Sequence, residues 1–253
     1  MSSNKQLEGK VAIVTGGAAG FGEGIVRLYA AEGAKVVIAD LDTAKGEALS
    51  TELGANVIFQ RCDVSSGPDV NALVAACVKH FGTPEIVVNN AGTTHANQPL
   101  MNVDEATFDR MFAINVKSIF HMTRAVVPLM RERKKGVMLN VGSTAGIRPR
   151  PGLTWYNGSK GAVNLMSKSL AVELGPDNIR VNAICPVMGE TGLLEKFMGM
   201  PDTPENRARF IATIPLGRLC RASDVAAVAL FLASDAAEFL TGMEVPVDGG
   251  RTV

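Results

Sequence analysis

The sequence of 253 residues has no excess of either charge, because 25 lysines and arginines balance 25 aspartates and glutamates. A nucleic-acid-binding surface needs a basic excess to neutralise phosphates, so we expect no nucleic-acid partner. No uninterrupted apolar run is long enough to cross a bilayer, and the polar opening MSSNKQLEGK lacks the apolar core of a signal peptide. We therefore expect a cytoplasmic protein with no membrane partner.

Cysteine and histidine are also scarce. They are Cys62, Cys77, Cys185, Cys220, His80, His95 and His121. No two cysteines form a C-x-x-C pair and no histidine has metal-ligand spacing, so we expect buried free thiols and no metal. A hydrophobic content of 47% is instead sufficient for a substantial apolar core.

Short β-branched segments alternate with helical patterns along the whole chain. The predicted strands are 10–15, 35–40, 56–60, 85–90, 136–143, 179–184 and 243–247, and the predicted helices are 22–32, 43–53, 68–81, 104–132, 156–174 and 222–233. Near-continuous apolar strands are typical of a parallel sheet covered on both faces. The alternation predicts one α/β domain over residues 1–253, a three-layer doubly wound fold around a mostly parallel, seven-stranded sheet.

Residues 187–218 interrupt this alternation. The segment is rich in proline, glycine and methionine and shows neither a strand nor a helix pattern. Because long irregular segments inside compact domains commonly cover functional sites, we expect a lid over a substrate here.

The segment TGGAAGFG, residues 15–22, follows the first strand and opens the first helix. Glycines at such a turn let the backbone approach a pyrophosphate, and the helix N-terminus supplies free N–H groups. Asp40 ends the second strand, where its carboxylate can accept both hydroxyls of an adenosine ribose and would repel a 2′-phosphate. This context favours a dinucleotide site over an ordinary glycine-rich turn, and NAD over NADP.

Tyr156 and Lys160, in YNGSK, are one helical turn apart, which places their Cβ atoms roughly 5–6 Å from each other. A positive charge at about 4 Å is worth on the order of 4 kcal/mol at an effective dielectric constant of 20, enough to bring a tyrosine pKa of about 10 close to neutrality. We expect Lys160 to lower the pKa of Tyr156, which then takes the hydroxyl proton of an alcohol as hydride passes to a nicotinamide. For an isolated Y-x-x-x-K, a half-buried tyrosine and a surface lysine would be the commoner outcome.

Together these motifs resemble the short-chain dehydrogenase/reductase family of the single-domain type, which has a Rossmann fold. The matching segments are TGGAAGFG (15–22), NNAG (89–92), Asn115, Ser143, YNGSK (156–160), RVNAICP (180–186) and VDGG (247–250). The resemblance covers nearly the whole chain. It implies that Ser143 orients the substrate oxygen, that Lys160 also holds the nicotinamide ribose, and that Asn115 binds a water linking the lysine to solvent.

The resemblance also implies a set of cofactor-binding residues. They are Gly16, Ala19, Gly20, Phe21, Gly22, Asp40, Leu41, Asp63, Val64, Asn89, Ala91, Gly92, Tyr156, Lys160, Pro186, Val187, Gly189 and Thr191. Val187 stands where the family usually has glycine after Pro186, and Gly189 is expected to restore the backbone freedom beside the nicotinamide.

We expect the substrate pocket to be walled by residues 93–98, 144–155 and 187–200. The expected apolar side chains are Ile147, Leu153, Trp155, Met188 and Leu193. Arg148 and Arg150 would suit an anionic substrate, but arginines flanked by prolines are more typical of a surface loop. His95 is interpreted as a polar loop residue.

Three functions remain open. The favoured one is an NAD(H)-dependent oxidoreductase that interconverts a secondary alcohol, or a polyol, and a ketone. The 3-oxoacyl-acyl-carrier-protein reductases of the family typically grip the acidic carrier with two arginine sites, where this chain has Lys134 and Val172. A non-catalytic dinucleotide-binding sensor commonly lacks the tyrosine or the lysine. The resemblance further implies a homotetramer packed through the helices at 104–132 and 156–174.

Overall fold

A computed structural model describes residues 5–253. Its strands are β1 (Val11–Thr15), β2 (Lys35–Asp40), β3 (Val57–Arg61), β4 (Ile86–Asn89), β5 (Gly136–Val141), β6 (Ile179–Pro186) and β7 (Glu244–Val247). They form one sheet in the order β3-β2-β1-β4-β5-β6-β7, and every neighbouring pair is parallel. The predicted doubly wound, seven-stranded Rossmann fold is confirmed.

The connections between the strands are helical. The α-helices are α1 (Gly20–Ala31), α2 (Thr43–Leu53), α3 (Gly67–Phe81), α4 (Glu105–Phe112), α5 (Ser118–Arg133), α6 (Thr154–Leu174), α7 (Leu194–Met198), α8 (Pro204–Ile211) and α9 (Ala222–Ala233). Two apolar clusters lie on opposite faces of the sheet: Val14 belongs to the one under α1 and α9, and its neighbour Ile13 to the one under α3 and α5. Because successive strand residues face opposite sides, burying both faces requires the continuous apolar strands seen in the sequence.

The strand order reverses between β1 and β4, and a crevice opens there at the carboxyl ends of the strands. Thr15 closes the floor of this crevice. Its hydroxyl accepts hydrogen bonds from the backbone N–H groups of Asn90 and Ala91 at 3.0 and 3.1 Å, and donates to the carbonyl oxygen of Val88 at 3.3 Å. These bonds hold the chain that leaves β4 against the end of β1.

The helix predicted at 104–132 is present and runs without a break over 105–133, with a π-helical turn at Ala113–Lys117 between its parts α4 and α5. One prediction about local structure is wrong. The segment 187–218, predicted to be irregular, contains α7 and α8. Both helices are short and α8 has no buried residue, so neither produces the apolar periodicity from which a helix is recognised.

Candidate active site

Tyr156 and Lys160 lie one turn apart on the buried face of α6, with 6% and 5% of their surface exposed. Both line a cavity of about 400 Å³ at the carboxyl ends of β1, β4 and β5. Neither is therefore an ordinary surface side chain, and the predicted pair shares one enclosed environment.

Lys160 is tethered to the sheet. Its Nζ donates a hydrogen bond to the carbonyl oxygen of Val141, the last residue of β5, at 2.8 Å. Burial lowers the pKa of Lys160 to about 8, against a smaller effect of Cys185 that raises it.

The expected effect of Lys160 on Tyr156 is corrected by the structure. Burial raises the pKa of Tyr156 to about 12, while the hydroxyl of Ser143 and the charge of Arg150 act to lower it. The largest cause is desolvation, which disfavours a phenolate. Lys160 is held against Val141 and is not among the groups that shift the pKa of Tyr156, and the effect of Arg150 on that pKa is smaller than those of burial and of Ser143.

Ser143 follows β5 and lines the same cavity as Tyr156, close enough for its hydroxyl to act on the phenol. Its Oγ accepts a hydrogen bond from the backbone N–H of Ala145 at 3.1 Å and is 3.5 Å from the carbonyl oxygen of Pro186, to which it can donate. The hydroxyl is thereby fixed between the ends of β5 and β6, in reach of a substrate oxygen placed at Tyr156.

Asn115 lies in the π-helical turn, and its side-chain amide forms hydrogen bonds with two neighbouring residues, Thr93 and Ser159. Its Oδ1 accepts from the backbone N–H of Thr93 at 2.8 Å, and its Nδ2 donates to the carbonyl oxygen of Thr93 at 2.9 Å and to Ser159 Oγ at 3.0 Å. A Cβ placed on Gly92 would lie 3.4 Å from both Asn115 Oδ1 and Lys160 Nζ. The amide and the ammonium therefore flank the same glycine.

The glycine loop has the shape of an anion cradle. Gly16 has φ of +62°, and a Cβ there would lie 2.9 Å from Ala91 Cα. Gly20 has φ of +58°, and its Cβ would approach Thr191 Cγ2 at 3.3 Å. The N-cap residue of α1, Ala19, supplies no side-chain hydrogen bond, and Gly20 and Phe21 of the first turn line the cavity, so the orphan N–H groups of this turn are available to an anion there.

Asp40 lies at the end of β2 beside this loop. Its two carboxylate oxygens accept hydrogen bonds from the backbone N–H groups of Ala18 and Asp42, each at 3.0 Å. The carboxylate is thus fixed in position, and each oxygen retains acceptor capacity for a ribose hydroxyl.

The structure brings most of the predicted cofactor residues together. Those lining the cavity are Gly16, Ala19, Gly20, Phe21, Ala91, Gly92, Tyr156, Lys160, Pro186, Val187, Gly189 and Thr191. Those outside its wall are Gly22, Asp40, Leu41, Asp63, Val64 and Asn89.

Asn89 is buried and donates to Asn140 Oδ1 at 2.8 Å, so it ties β4 to β5. Its neighbour Asn90, which the sequence did not single out, lines the cavity and donates to the carbonyl oxygens of Thr15 and Gly16.

The predicted pocket wall needs two corrections among its apolar members. Ile147 and Trp155 do not line the cavity, whereas Leu153, Met188 and Leu193 do. Trp155 packs edge-on against Phe108, and its Nε1 donates to the carbonyl oxygen of Leu100. Helical spacing explains the difference. Leu153, the N-cap residue of α6, and Tyr156 are three positions apart and share the face that lines the cavity, whereas Trp155 lies on another face.

Two wall residues were missed or misjudged from the sequence. Phe197, in α7, meets Tyr156 edge-on with 5.1 Å between the ring centroids. Arg150, interpreted as a surface arginine, is partly buried and lines the cavity, whereas Arg148 is exposed. His95 is buried, with Nδ1 2.8 Å from the carbonyl oxygen of Ala96, and lies outside the cavity wall.

Within residues 5–253, no group of three or more histidine, cysteine, aspartate or glutamate side chains is placed to hold a metal ion. The four cysteines are buried with free thiols. No helix in this part of the chain combines the length and the apolar character needed to span a bilayer.

Known proteins resemble this chain over nearly its full length. A family model described as enoyl-(acyl carrier protein) reductase matches residues 16–252. A 4-formylbenzenesulfonate dehydrogenase of Comamonas testosteroni is 48% identical, with 100% of both chains covered. A (+)-borneol dehydrogenase of Salvia officinalis is 39% identical over 98% of this chain and 90% of the relative.

A solved structure shows the same fold. The 3-ketoacyl-(acyl-carrier-protein) reductase of Brucella melitensis, complexed with NADH, superimposes with a TM-score of 0.93 at 44% identity, over 98% of this chain and 100% of that one. The family model, the full-length relatives and the shared fold lead to one conclusion: the chain belongs to the short-chain dehydrogenase/reductase family, whose members are oxidoreductases that bind a nicotinamide dinucleotide.

Proposed function

We propose that the protein is an NAD(H)-dependent oxidoreductase that interconverts an alcohol and a carbonyl compound, with a secondary alcohol or polyol and a ketone as the first substrates to test. The observation that carries this proposal is the convergence of Tyr156, Lys160 and Ser143 on the cavity that the glycine loop also lines. A binding protein has no use for a buried phenol and a buried ammonium in that place, because burying both is costly.

The residues fit a dinucleotide. The uncapped first turn of α1 and the open backbone at Gly16 and Gly20 suit a pyrophosphate, and Asp40 suits the adenosine ribose. Lys160, as a buried ammonium in the cavity wall, would donate to the nicotinamide ribose. When bound, NAD supplies the hydride acceptor, and NADH the hydride donor, at the nicotinamide ring.

The chain's own residues handle the proton. Tyr156 Oη takes the substrate hydroxyl proton in oxidation and returns it in reduction, while Ser143 Oγ holds the substrate oxygen in place. A pKa of about 12 suits Tyr156 as a proton donor in reduction. In oxidation Tyr156 would act as a phenolate, which the positive charge supplied by a bound oxidised nicotinamide would favour.

NAD is proposed over NADP because of Asp40. A 2′-phosphate would place two negative charges beside a carboxylate that the backbone at Ala18 and Asp42 already fixes. The presence of NADH in the Brucella structure agrees with this choice.

The substrate class extends to aldehydes. The Salvia relative's name contains an alcohol and the Comamonas relative's an aromatic aldehyde. The hydrate of an aldehyde presents the same H–C–O–H unit as an alcohol, so Tyr156 and Ser143 can act on both. We therefore include aromatic aldehydes and their alcohols among the candidate substrates.

Reduction of a 3-oxoacyl group on acyl carrier protein is the second candidate, favoured by the 44% identity to the Brucella reductase. Two observations make it the weaker one. Lys134, a possible contact for the acidic carrier, already pairs with Asp177 at 2.7 Å. Val172, at the other expected contact, is apolar and 81% exposed.

A homotetramer is proposed with α5 and α6 at an interface between copies. Leu165 and Val172 are on one face of α6, seven residues apart, with 66% and 81% of their surface exposed, and Phe120 on α5 is half-exposed. An exposed apolar stripe of this kind is typical of a surface that a partner covers.

The deciding experiment measures turnover with a panel of secondary alcohols, polyols, aromatic aldehydes and a 3-oxoacyl thioester, each with NAD(H) and NADP(H). The proposal expects turnover of an alcohol or carbonyl compound with NAD(H). Turnover of the thioester alone would support the carrier-protein reductase, and cofactor binding without any turnover would indicate a sensor.

A further inference from the structure

The charges that line the cavity are all of one sign. Two cationic side chains, Arg150 and Lys160, belong to its wall, and no aspartate or glutamate does. Lys160 is bonded to Val141, and the proposed mechanism gives it the nicotinamide ribose. Apart from a small lowering of the Tyr156 pKa, Arg150 is a cation to which the proposed reaction gives no role.

Arg150 forms none of the ion pairs found among residues 5–253, whereas Arg207 and Arg218 both pair with carboxylates. Its guanidinium lies over the ring of Phe210 in α8, with 5.1 Å from Cζ to the ring centroid. Stacking of this kind orients the planar group while its N–H donors stay available.

The surroundings make Arg150 a costly charge. Burial lowers its pKa and the positive charge of Arg251 acts in the same direction, while Tyr156 raises it. A guanidinium remains charged at neutral pH all the same, so it keeps a desolvation penalty that an anion beside it would offset.

The other residues of the cavity wall indicate the chemistry of the rest of the ligand. Tyr156 and Ser143 supply the reactive end, and Leu153, Met188 and Phe197 supply apolar surface in the same cavity. Phe197 meets Tyr156 edge-to-face, so an aromatic side chain lies beside the reactive end, where a substrate ring can pack against it.

We infer that Arg150 binds an anionic group of the substrate, so that the substrate is an alcohol or carbonyl compound carrying a carboxylate or sulfonate on a compact apolar, aromatic-sized body. The inference rests on the proposed function, since it places the reacting oxygen at Tyr156. Arg150 is then a specificity-determining residue: it selects among carbonyl compounds and takes no part in proton or hydride transfer.

The test uses two matched aldehydes as probes, 4-formylbenzoate and 4-methylbenzaldehyde, reduced with NADH. We expect the intact protein to favour the anionic probe. Arg150→Gln should lower kcat/KM for 4-formylbenzoate by about 10- to 100-fold, the effect of one charge-assisted hydrogen bond, and change that for 4-methylbenzaldehyde less than about threefold. Arg150→Lys should retain part of the preference because it keeps the charge but not the bidentate fork.

Arg148→Gln is the matched control, because Arg148 is two residues away and exposed and donates to the carbonyl oxygen of Arg251. It should leave the ratio of the two probes unchanged. Equal loss for both probes in Arg150→Gln, or an unchanged preference, would overturn the inference and leave the proposed function standing. A matching loss of NADH affinity, measured by fluorescence, would assign Arg150 to the cofactor and would also overturn it.

If neither aldehyde is turned over, a binding experiment separates the two proposals. Calorimetry with benzenesulfonate and the NADH-bound protein then decides: binding that Arg150→Gln abolishes supports the anion site, and absence of binding to the intact protein contradicts it. The proposed function fails separately, when no member of the alcohol and carbonyl panel is turned over.

Discussion

Lys160 Nζ and the carbonyl oxygen of Val141 are joined by a hydrogen bond of 2.8 Å that links the middle of the cavity to the end of β5. The bond fixes where the ammonium lies, and burial sets its protonation, since the pKa of Lys160 is lowered to about 8. Burial of an ammonium group in this position should lower the stability of the folded protein.

The stability cost of Lys160 is measurable. Its folded-state pKa of about 8 is below the ordinary value of 10.5, so between these pH values the unfolded chain holds a proton that the folded protein lacks. Stability therefore falls as pH drops through this window, by on the order of 3 kcal/mol in total, and stays low below it. We expect Lys160→Met to raise the free energy of unfolding at pH 7 by about 1–2 kcal/mol after the loss of the Val141 bond, and to abolish turnover.

Urea unfolding at pH 7 and at pH 10.5 checks this, with the exposed Lys79→Met as control. The advantage of Lys160→Met should disappear at the higher pH, and Lys79→Met should show no such dependence. A Lys160→Met protein less stable than the parent at pH 7 would contradict the expectation.

Tyr156→Phe removes the hydroxyl and keeps the ring that packs against Phe197. We expect kcat to fall by about 10²- to 10⁴-fold, the usual contribution of a general acid or base, and NADH affinity to change less than about threefold. Steady-state assays and NADH fluorescence titration measure the two effects. Turnover close to that of the parent would remove Tyr156 from the mechanism.

Asp40→Asn keeps the size of the side chain and removes its charge. We expect the preference for NAD over NADP, measured as a ratio of kcat/KM values, to fall at least about tenfold, since the repulsion of a 2′-phosphate is lost. Asp42→Asn is the control, because Asp42 is two residues further and caps α2 through the backbone N–H of Lys45, a role asparagine can fill. An equal change in both variants would show that Asp40 does not select the cofactor.

Leu165→Glu and Val172→Glu place charges on the exposed apolar face of α6. If copies pack there, each variant should sediment as a smaller species than the parent at micromolar concentration, because burying an unpaired carboxylate is costly. Leu216→Glu, at a side chain 73% exposed on another surface, serves as control and should leave the sedimentation unchanged. A parent protein that sediments as a monomer rules out the tetramer directly.

The sequence predicted the elements whose signals are local. Apolar strands such as β2 and the glycine loop at 15–22 can be recognised from consecutive residues alone, and the structure has them where expected. Arg150 and Phe197 were misjudged or missed because their roles depend on partners distant in sequence, Phe210 and Tyr156. The expectation that the pKa of Tyr156 is lowered was wrong for a related reason. Sequence spacing gives the distance to a charge, whereas desolvation depends on every group packed around the phenol.

The π-helical turn at Ala113–Lys117 has a consequence for how the catalytic residues can change. Such a turn holds one residue more than an α-helical path between the same ends, and each residue of an α-helix advances the chain by about 100°. Excising a single amino acid from this turn would let α4 and α5 fuse into one regular rod. Asn115 would then rotate out of register with Thr93 and Ser159, its present partners. The number of residues at this point, and not only their identity, is therefore under constraint: a one-residue deletion should be more damaging than replacement of Lys117, the exposed last residue of the turn, by another helix-forming residue.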